Sequence, residues 1–522
     1  MIEVNWRNNK MAEQISYAEY VRKILLSPVY DVAKVTSLQK LEKLSDRLGN
    51  EVLLKREDEQ PVHSFKLRGA YNKIAQLPKE QQSKGIVAAS AGNHAQGCAL
   101  SGKVLGIKAS IVMPKTTPDI KVEAVRRLGG NAILFGNNFD EAYAEAIRLS
   151  QEEGLTLIPP YDDPDVIAGQ GTIASELLKQ NSHITHVFVQ VGGGGLAAGI
   201  AVYIKQILPH VKVIAVEAEG SACFKAAYDK NEIVTLDRVS MFADGVAVKR
   251  IGTETFRVLK DNIDEVVTVS NDQICAALKD IFDDTRAIAE PAGALSLAGM
   301  KKYIQEHGCK DQKMVAILSG ANLNFHTLRF VSERCELGEH REGILAIKIP
   351  EKKGAFMELC KNLGARNVTE FNYRYSDHSE AAIFISLQLT NGRTELDQII
   401  KELADKGYPV TNLTDNIVAK NHIRYMIGGH VNSASISNER LISLQFPERP
   451  GALMNFLEAL GNKFNVTMFH YRNHGAEYGR ILCALEINDS DYEFATRALN
   501  NLGYLWFDET DNECYKMFLS PQ

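Results

Sequence analysis

No stretch of this 522-residue chain strings together the roughly 18 apolar residues that a membrane-spanning helix requires. Charge of one sign is not in excess either. The 59 basic and 65 acidic side chains leave a formal net charge of -6, and no basic stripe follows a nucleic-acid backbone. Neither a membrane nor a nucleic acid is an expected partner. The first residues, from Met1 to Arg7, lack the apolar core of a secretory signal, and Glu3, Glu13 and Glu19 are out of place in a transit peptide. A cytoplasmic protein is the expectation. The eight cysteines form no CxxC pair and have no histidine at zinc-ligand spacing, so they read as free thiols used as small apolar residues. The rest is ordinary for a globular chain, 45% hydrophobic and 24% charged, and long enough for two or three cores.

Residues from about 30 to 330 alternate strands with helices. Short apolar runs at 52–55, 85–89, 109–113, 187–191 and 213–216 are rich in β-branched or small residues. Periodic helical stretches separate them, among them 119–128 and 140–151. The pattern predicts an α/β fold with mostly parallel sheets covered by helices on both faces. Past about 340 the chain repeats itself. Ile349-Pro350-Glu351 and Gly354-Ala355 return at an offset of 97 residues as Phe446-Pro447-Glu448 and Gly451-Ala452. Asn367-Val368-Thr369 and Tyr373-Arg374 return at an offset of 98 as Asn465-Val466-Thr467 and Tyr471-Arg472. Two tandem βαββαβ units fit this spacing.

Four segments carry candidate chemistry. In Ser64-Phe65-Lys66-Leu67-Arg68, Ser64 reads as a helix N-cap, placing Lys66 in the first turn. The positive helix end and Arg68 would both favour the neutral amine that Schiff-base chemistry needs. By position alone, a lysine near a helix start is usually a solvated side chain. Ser90-Ala91-Gly92-Asn93-His94 follows a strand and opens a helix, which offers backbone N–H groups to a carboxylate. A tight turn with a capping asparagine is the plainer alternative. Gly192-Gly193-Gly194-Gly195-Leu196 is too glycine-rich for one turn, and it suits a phosphate cradle backed by a helix dipole. Its spacing also satisfies a dinucleotide fingerprint, with Glu217 about twenty residues further on. That leaves a nicotinamide-dependent dehydrogenase open, although it would not explain the Lys66 and Asn93 segments. Ser319, in Leu318-Ser319-Gly320-Ala321-Asn322, either caps a turn or hydrogen-bonds a ring nitrogen.

Together and in this order, these segments resemble the fold-type II pyridoxal-phosphate enzymes, and within them the biosynthetic threonine deaminases. The resemblance covers nearly the whole length. It includes Glu290-Pro291-Ala292-Gly293-Ala294, the joining segment 332–338 and the paired repeat. It implies a catalytic domain of two open parallel-sheet subdomains over 1–335, followed by two ferredoxin-like ACT-like regulatory domains over 336–430 and 431–522. Lys66 would form the Schiff base with pyridoxal phosphate and act as the base. Phe65 would border the ring, Asn93 would bond its 3-hydroxyl and Ser319 its nitrogen. Gly192, Gly193, Gly194, Gly195 and Leu196 would hold the phosphate. Ser90, Gly92, Asn93 and His94 would grip the substrate carboxylate, with Asp244-Gly245 approaching from across the cleft.

The implied reaction is deamination of L-threonine to 2-oxobutanoate and ammonia, with L-serine as a slower substrate. Isoleucine is the implied inhibitor and valine an opposing ligand. Tyr373, Arg374, Tyr471 and Arg472 are candidate effector contacts because the repeat keeps them at matching places. A homotetramer is the family expectation.

Two departures refine the resemblance. Serine racemases carry a second serine where this chain has Ala91, which argues against racemisation. Racemase-like relatives bind a divalent cation through an acidic residue six positions after a glutamate. Here Glu217 is followed at that position by Cys223, a poor ligand for a hard cation, and no metal is expected. A catalytically dead amino-acid sensor is a third reading, which an intact Lys66 opposes.

Overall fold

The structure is a computed structural model that describes residues 14–364, 366–375, 380–426, 431, 436–447, 452–460, 463–472 and 478–521. The N-terminal segment from Met1 to Glu13 and the second copy's turn from Glu448 to Gly451 lie outside the described residues. The chain divides into two compact units between Gly338 and Glu339.

In the first unit the apolar runs become two sheets. The larger is ordered Leu38–Lys40, Glu51–Arg56, Lys313–Leu318, His186–Gln190, Lys212–Ala218, Glu265–Val269, and only its first pairing is antiparallel. The smaller is wholly parallel, in the order Asn131–Leu134, Ala109–Met113, Ile86–Ala89, Thr156–Leu157. Helices on both faces bury the central strands, so Val187, Phe188 and Val189 have no exposed surface. The helices carry local start signals. Asp163 accepts N–H groups of Asp165 and Val166 ahead of a proline at the start of Pro164–Gln180. Ser270 and Gln273 form a capping box for Asn271–Thr285. Six of the eight cysteines are buried, Cys514 is exposed, and all are free. No helix among the described residues is long and apolar enough to cross a membrane.

The joining segment forms the helix His326–Gly338. It packs within the first unit through Val331 and Cys335, and Arg334 donates to Asp272 Oδ1 at 2.8 Å.

In the second unit the two repeats build one eight-stranded antiparallel sheet: Val410–Asn412, Glu342–Pro350, Glu380–Gln388, Val368–Arg374, Asn465–Arg472, Tyr478–Glu486, Glu439–Pro447, Leu505–Asp508. The order is a palindrome about the pairing of Val368–Arg374 with Asn465–Arg472. A register shift recurs at Val368/Glu370 and Val466/Met468, so the repeat extends to its irregularities. Phe371 and Phe469, one from each copy, meet edge to face at 5.5 Å in a shared core.

Candidate active site

The four segments converge in the first unit, at the C-terminal ends of parallel strands. The backbone of Ser64 bridges to Gly320, and the Phe65 N–H donates to the Ser319 carbonyl at 3.1 Å. The lysine and serine segments, some 250 residues apart, are thus pinned to one another. The helix Lys66–Ala75 begins at Lys66 itself, with Phe65 at its N-cap position. Ser64 is therefore not the cap; its Oγ accepts the Lys66 N–H at a long 3.4 Å.

Lys66 Nζ donates to the Pro160 carbonyl at 3.1 Å. Burial pushes its ammonium down to about 8, against the attraction of Glu290 and Cys98. The amine is thus readily neutral, but the expected influence of Arg68 needs correcting. Two residues along a helix turn the side chain about 200° away. There Arg68 is fully buried, forked on Glu57 (2.8 Å from Nε and from Nη2), with Glu176 at 2.6 Å, Thr172 at 3.1 Å and the Lys34 carbonyl at 3.1 Å. All five of its N–H donors are satisfied and its charge is neutralised locally.

In the glycine run, every Cβ would collide. A Cβ on Gly193 would lie 2.2 Å from the Tyr161 ring, one on Gly192 2.9 Å from Val246 Cα, and one on Gly194 2.8 Å from Ile251. Gly194 also has φ +94°, which disfavours any side chain. The helix Gly195–Ile207 starts here, and no acceptor among the described residues takes the N–H groups of Gly193, Gly194, Gly195 or Leu196. Thr255 Oγ1 fixes the loop by donating to the Gly193 carbonyl at 2.7 Å.

At the end of the smaller sheet, the helix Asn93–Leu105 starts after Gly92, where an added Cβ would meet nothing within 4 Å. The Ser90 hydroxyl accepts the Gly92 N–H at 3.2 Å and holds the turn. His94 turns inward: Nε2 bonds the Ile158 carbonyl at 2.9 Å, and burial, then the charge of Lys66, push its imidazole down to about 4. It is neutral, and only its backbone faces the loop's open side. Ser319 is 3% exposed, and its hydroxyl has no partner among the described residues. Gly245 lies across the cleft, its Cβ position 3.4 Å from Glu290 Oε1, beside Asp244, which pairs with Lys121 at 3.2 Å.

Sequence reasoning assigned no role to Glu290 and Asn322, although both stood inside quoted motifs. Glu290 accepts from Asn93 at 2.8 Å, and Asn322 donates to Asn93 Oδ1 at 2.7 Å. Glu217 has a different task from the one a dehydrogenase would give it. Its carboxylate is buried and accepts the N–H groups of Phe224 (2.8 Å) and Lys225 (2.6 Å), capping the helix Cys223–Lys230 rather than facing a ribose.

A half-buried lysine amine, a cradle of unclaimed N–H groups and an unpartnered serine hydroxyl match the aldehyde, phosphate and ring nitrogen of pyridoxal phosphate.

In the second unit, strand alternation splits the effector candidates. Tyr373 faces the helices, donates to Glu351 at 3.0 Å and lines a pocket with Pro350, Lys352, Gly354, Leu457 and Asn465. Tyr471 belongs to the same core. Arg374 points to the opposite face and pairs with Glu439 of the other copy at 2.6 Å. Arg472 shares that orientation by its own alternation with Tyr471.

Residues 29–320 match the family "Pyridoxal-phosphate dependent enzyme", and 333–423 and 431–519 each match "C-terminal regulatory domain of Threonine dehydratase". The chain is 58% identical to the biosynthetic L-threonine dehydratase of Escherichia coli, over 96% of this chain and 97% of that one. It is 48% identical to the mitochondrial threonine dehydratase of Saccharomyces cerevisiae, over 96% and 89%. Among solved structures it resembles threonine deaminase isoform 2 from Solanum lycopersicum (TM-score 0.60, 50% identity, 61% of this chain and 92% of that one). It also resembles maize serine racemase (TM-score 0.56, 32% identity, 62% and 98%). The chain belongs to the biosynthetic threonine dehydratase family of pyridoxal-phosphate-dependent enzymes.

Proposed function

We propose that this protein deaminates L-threonine to 2-oxobutanoate and ammonia, with L-serine as a slower substrate, and that isoleucine inhibits it by binding the C-terminal unit. The observation that carries the catalytic reading is the placement of Lys66. A half-buried, readily neutral amine stands against the Ser319 strand end, in the same unit as a glycine cradle with free N–H groups.

Lys66 Nζ is the group that holds the cofactor's aldehyde carbon. Gly193, Gly194, Gly195 and Leu196 would bind its phosphate, with Gly192 shaping the turn, and Phe65 and Asn93 would orient its ring. When bound, the cofactor supplies an electron sink for loss of the substrate α-proton. Lys66 Nζ would be the base that takes that proton. The N–H groups at the start of Asn93–Leu105 would receive the substrate carboxylate over the open side of Gly92, with Ser90 holding the turn and His94 contributing its backbone alone. Gly245 leaves room on the opposite wall. Ser319 would present a hydroxyl to the ring nitrogen where a carboxylate would hold it protonated, which would favour elimination over transamination. Ala91 offers no second acid–base group, which disfavours racemisation.

The pocket beside Tyr373 supports an amino-acid site between the two copies, with Tyr373 and Tyr471 as near contacts. Arg374 and Arg472 would act by holding the copies together. Valine would oppose isoleucine by binding the alternative state. We take the working form to be a cytoplasmic homotetramer. Purified protein should show the absorption of bound pyridoxal phosphate, change it on adding threonine, and release 2-oxobutanoate. A colourless protein that binds a nicotinamide cofactor would overturn the reading.

A further inference from the structure

A hydrogen-bonded chain of three side chains joins the two sheets of the first unit beside Lys66. Asn322 Nδ2 donates twice, to the Val62 carbonyl at 2.8 Å and to Asn93 Oδ1 at 2.7 Å. Asn93 Nδ2 donates to Glu290 Oε1 at 2.8 Å, and the Asn322 backbone N–H lies near enough to Glu290 to favour its charged form. The oxygen and nitrogen of an amide have nearly the same shape, so a lone asparagine can present either one. Here the choice is forced. Both Asn322 Nδ2 hydrogens are committed, so the Asn93 atom facing them must be its oxygen. Its nitrogen then faces Glu290, where the ionised carboxylate can only accept. One Asn93 N–H remains, with its direction set.

We propose that Glu290 and Asn322 are positioning residues that lock the Asn93 amide with its remaining N–H toward the 3-oxygen of the cofactor. This rests on the reading that Asn93 bonds that oxygen. The carboxylate is well placed for the task. Glu290 is 4% exposed, and its Oε1 is boxed in by the Cβ positions of Gly320 at 2.7 Å and Gly245 at 3.4 Å. A side chain at Gly320 would displace it, and one at Gly245 would rest against it in van der Waals contact. The two N–H donors need two acceptor lone pairs in a confined space. A carboxylate supplies them from either oxygen, whereas a glutamine in the same place offers one oxygen and turns a donor toward a donor. The charged groups facing Glu290 are Lys66, Asp244 of the turn Asp244–Val246 and Lys121 of Asp119–Arg127. Burial and then Asp244 push its carboxyl up to about 7, against the donated hydrogen bonds and Lys121, so the lock changes charge near neutrality.

The test uses full-length holoenzyme carrying Asn93→Ala, Glu290→Gln, Asn322→Ala and the Asn93→Ala/Glu290→Gln pair. The readouts are the visible band of bound cofactor, the pH midpoint of that band, and the affinity for added pyridoxal phosphate. Glu290→Gln and Asn322→Ala should each move the band and its midpoint, weaken cofactor affinity about 10-fold, and lower kcat more than they raise KM. On the Asn93→Ala background, Glu290→Gln should move the band no further, because both changes act through one amide. An equal shift with and without Asn93 would overturn the inference, as would unshifted single variants beside a shifted Asn93→Ala. If Asn93→Ala itself leaves the band in place, the reading of Asn93 fails first. Should Glu290→Gln not fold, Asn322→Ala carries the same comparison.

Discussion

The two units solve different problems with buried charge. In the catalytic unit, Arg68, Glu57, Glu176 and Lys55 form a buried ion network just behind Lys66. Glu176 is shared by Lys55 and Arg68, and Glu57 takes two bonds from Arg68. The regulatory unit repeats its device. Thr369 donates to Glu342, and Thr467, 98 residues on, donates to Glu439. Arg374 of the first copy then reaches Glu439 of the second. One unit fixes a single geometry, while the other ties two similar halves together through pairs whose loosening would alter both. The halves also differ where it matters. Glu370, Asn372 and Ser386 of the first copy stand where the second has Met468, His470 and Ala484, so the pseudo-symmetry offers two unequal places to an effector.

The sharpest way to separate the units is Lys66→Ala. Turnover should fall roughly 1,000-fold or more, since one amine serves both cofactor attachment and proton transfer. Isoleucine binding, followed by calorimetry, should persist. Near-normal turnover by the folded variant would remove Lys66 from the mechanism.

A smaller effect is expected behind the site. Arg68→Met leaves Glu57 buried without its guanidinium and should destabilise the catalytic unit by about 3–5 kcal/mol. Thermal unfolding should show a lowered transition for that unit and an unchanged one for the C-terminal unit. A transition that does not move would mean that water has relaxed the network.

The mildest test is pH. Attack on the cofactor aldehyde needs neutral Lys66, and burial has already lowered its proton affinity to about 8. In protein stripped of cofactor, reloading should therefore speed up as pH rises and level off above about 8. A rate still climbing toward 10 would place Lys66 in a more solvated setting.

What was legible in the sequence follows the same division. The glycine run could be read because consecutive glycines are costly unless something approaches the backbone closely, and each does meet a neighbour that a Cβ would strike. The repeat could be read because alternation and turns recur in register. Short or polar strands were not legible: Thr156–Leu157 has two residues, and Asn131–Leu134 is partly exposed, so neither shows an apolar run. Glu290 was hidden because a glutamate before a proline looks like an ordinary helix start. Its partner Asn93 is 197 residues away, and nothing local announces the pairing. For the effector candidates the repeat showed equivalent places but not faces, and strand alternation turns Arg374 away from Tyr373.

Isoleucine resembles threonine in its branched β-carbon, so it could inhibit by competing at the catalytic site with no regulatory unit involved. If it acts instead through residues after Glu339, a coupling of about 1–3 kcal/mol, or roughly 5–150-fold in apparent threonine affinity, is expected. The direct measurement is the threonine saturation curve, with and without isoleucine, of the full chain and of a chain ending at Glu339. The full chain should turn sigmoidal in isoleucine, while the shortened one should stay active, hyperbolic and insensitive. Equal isoleucine sensitivity in both would contradict the account and place the inhibitor in the catalytic cleft.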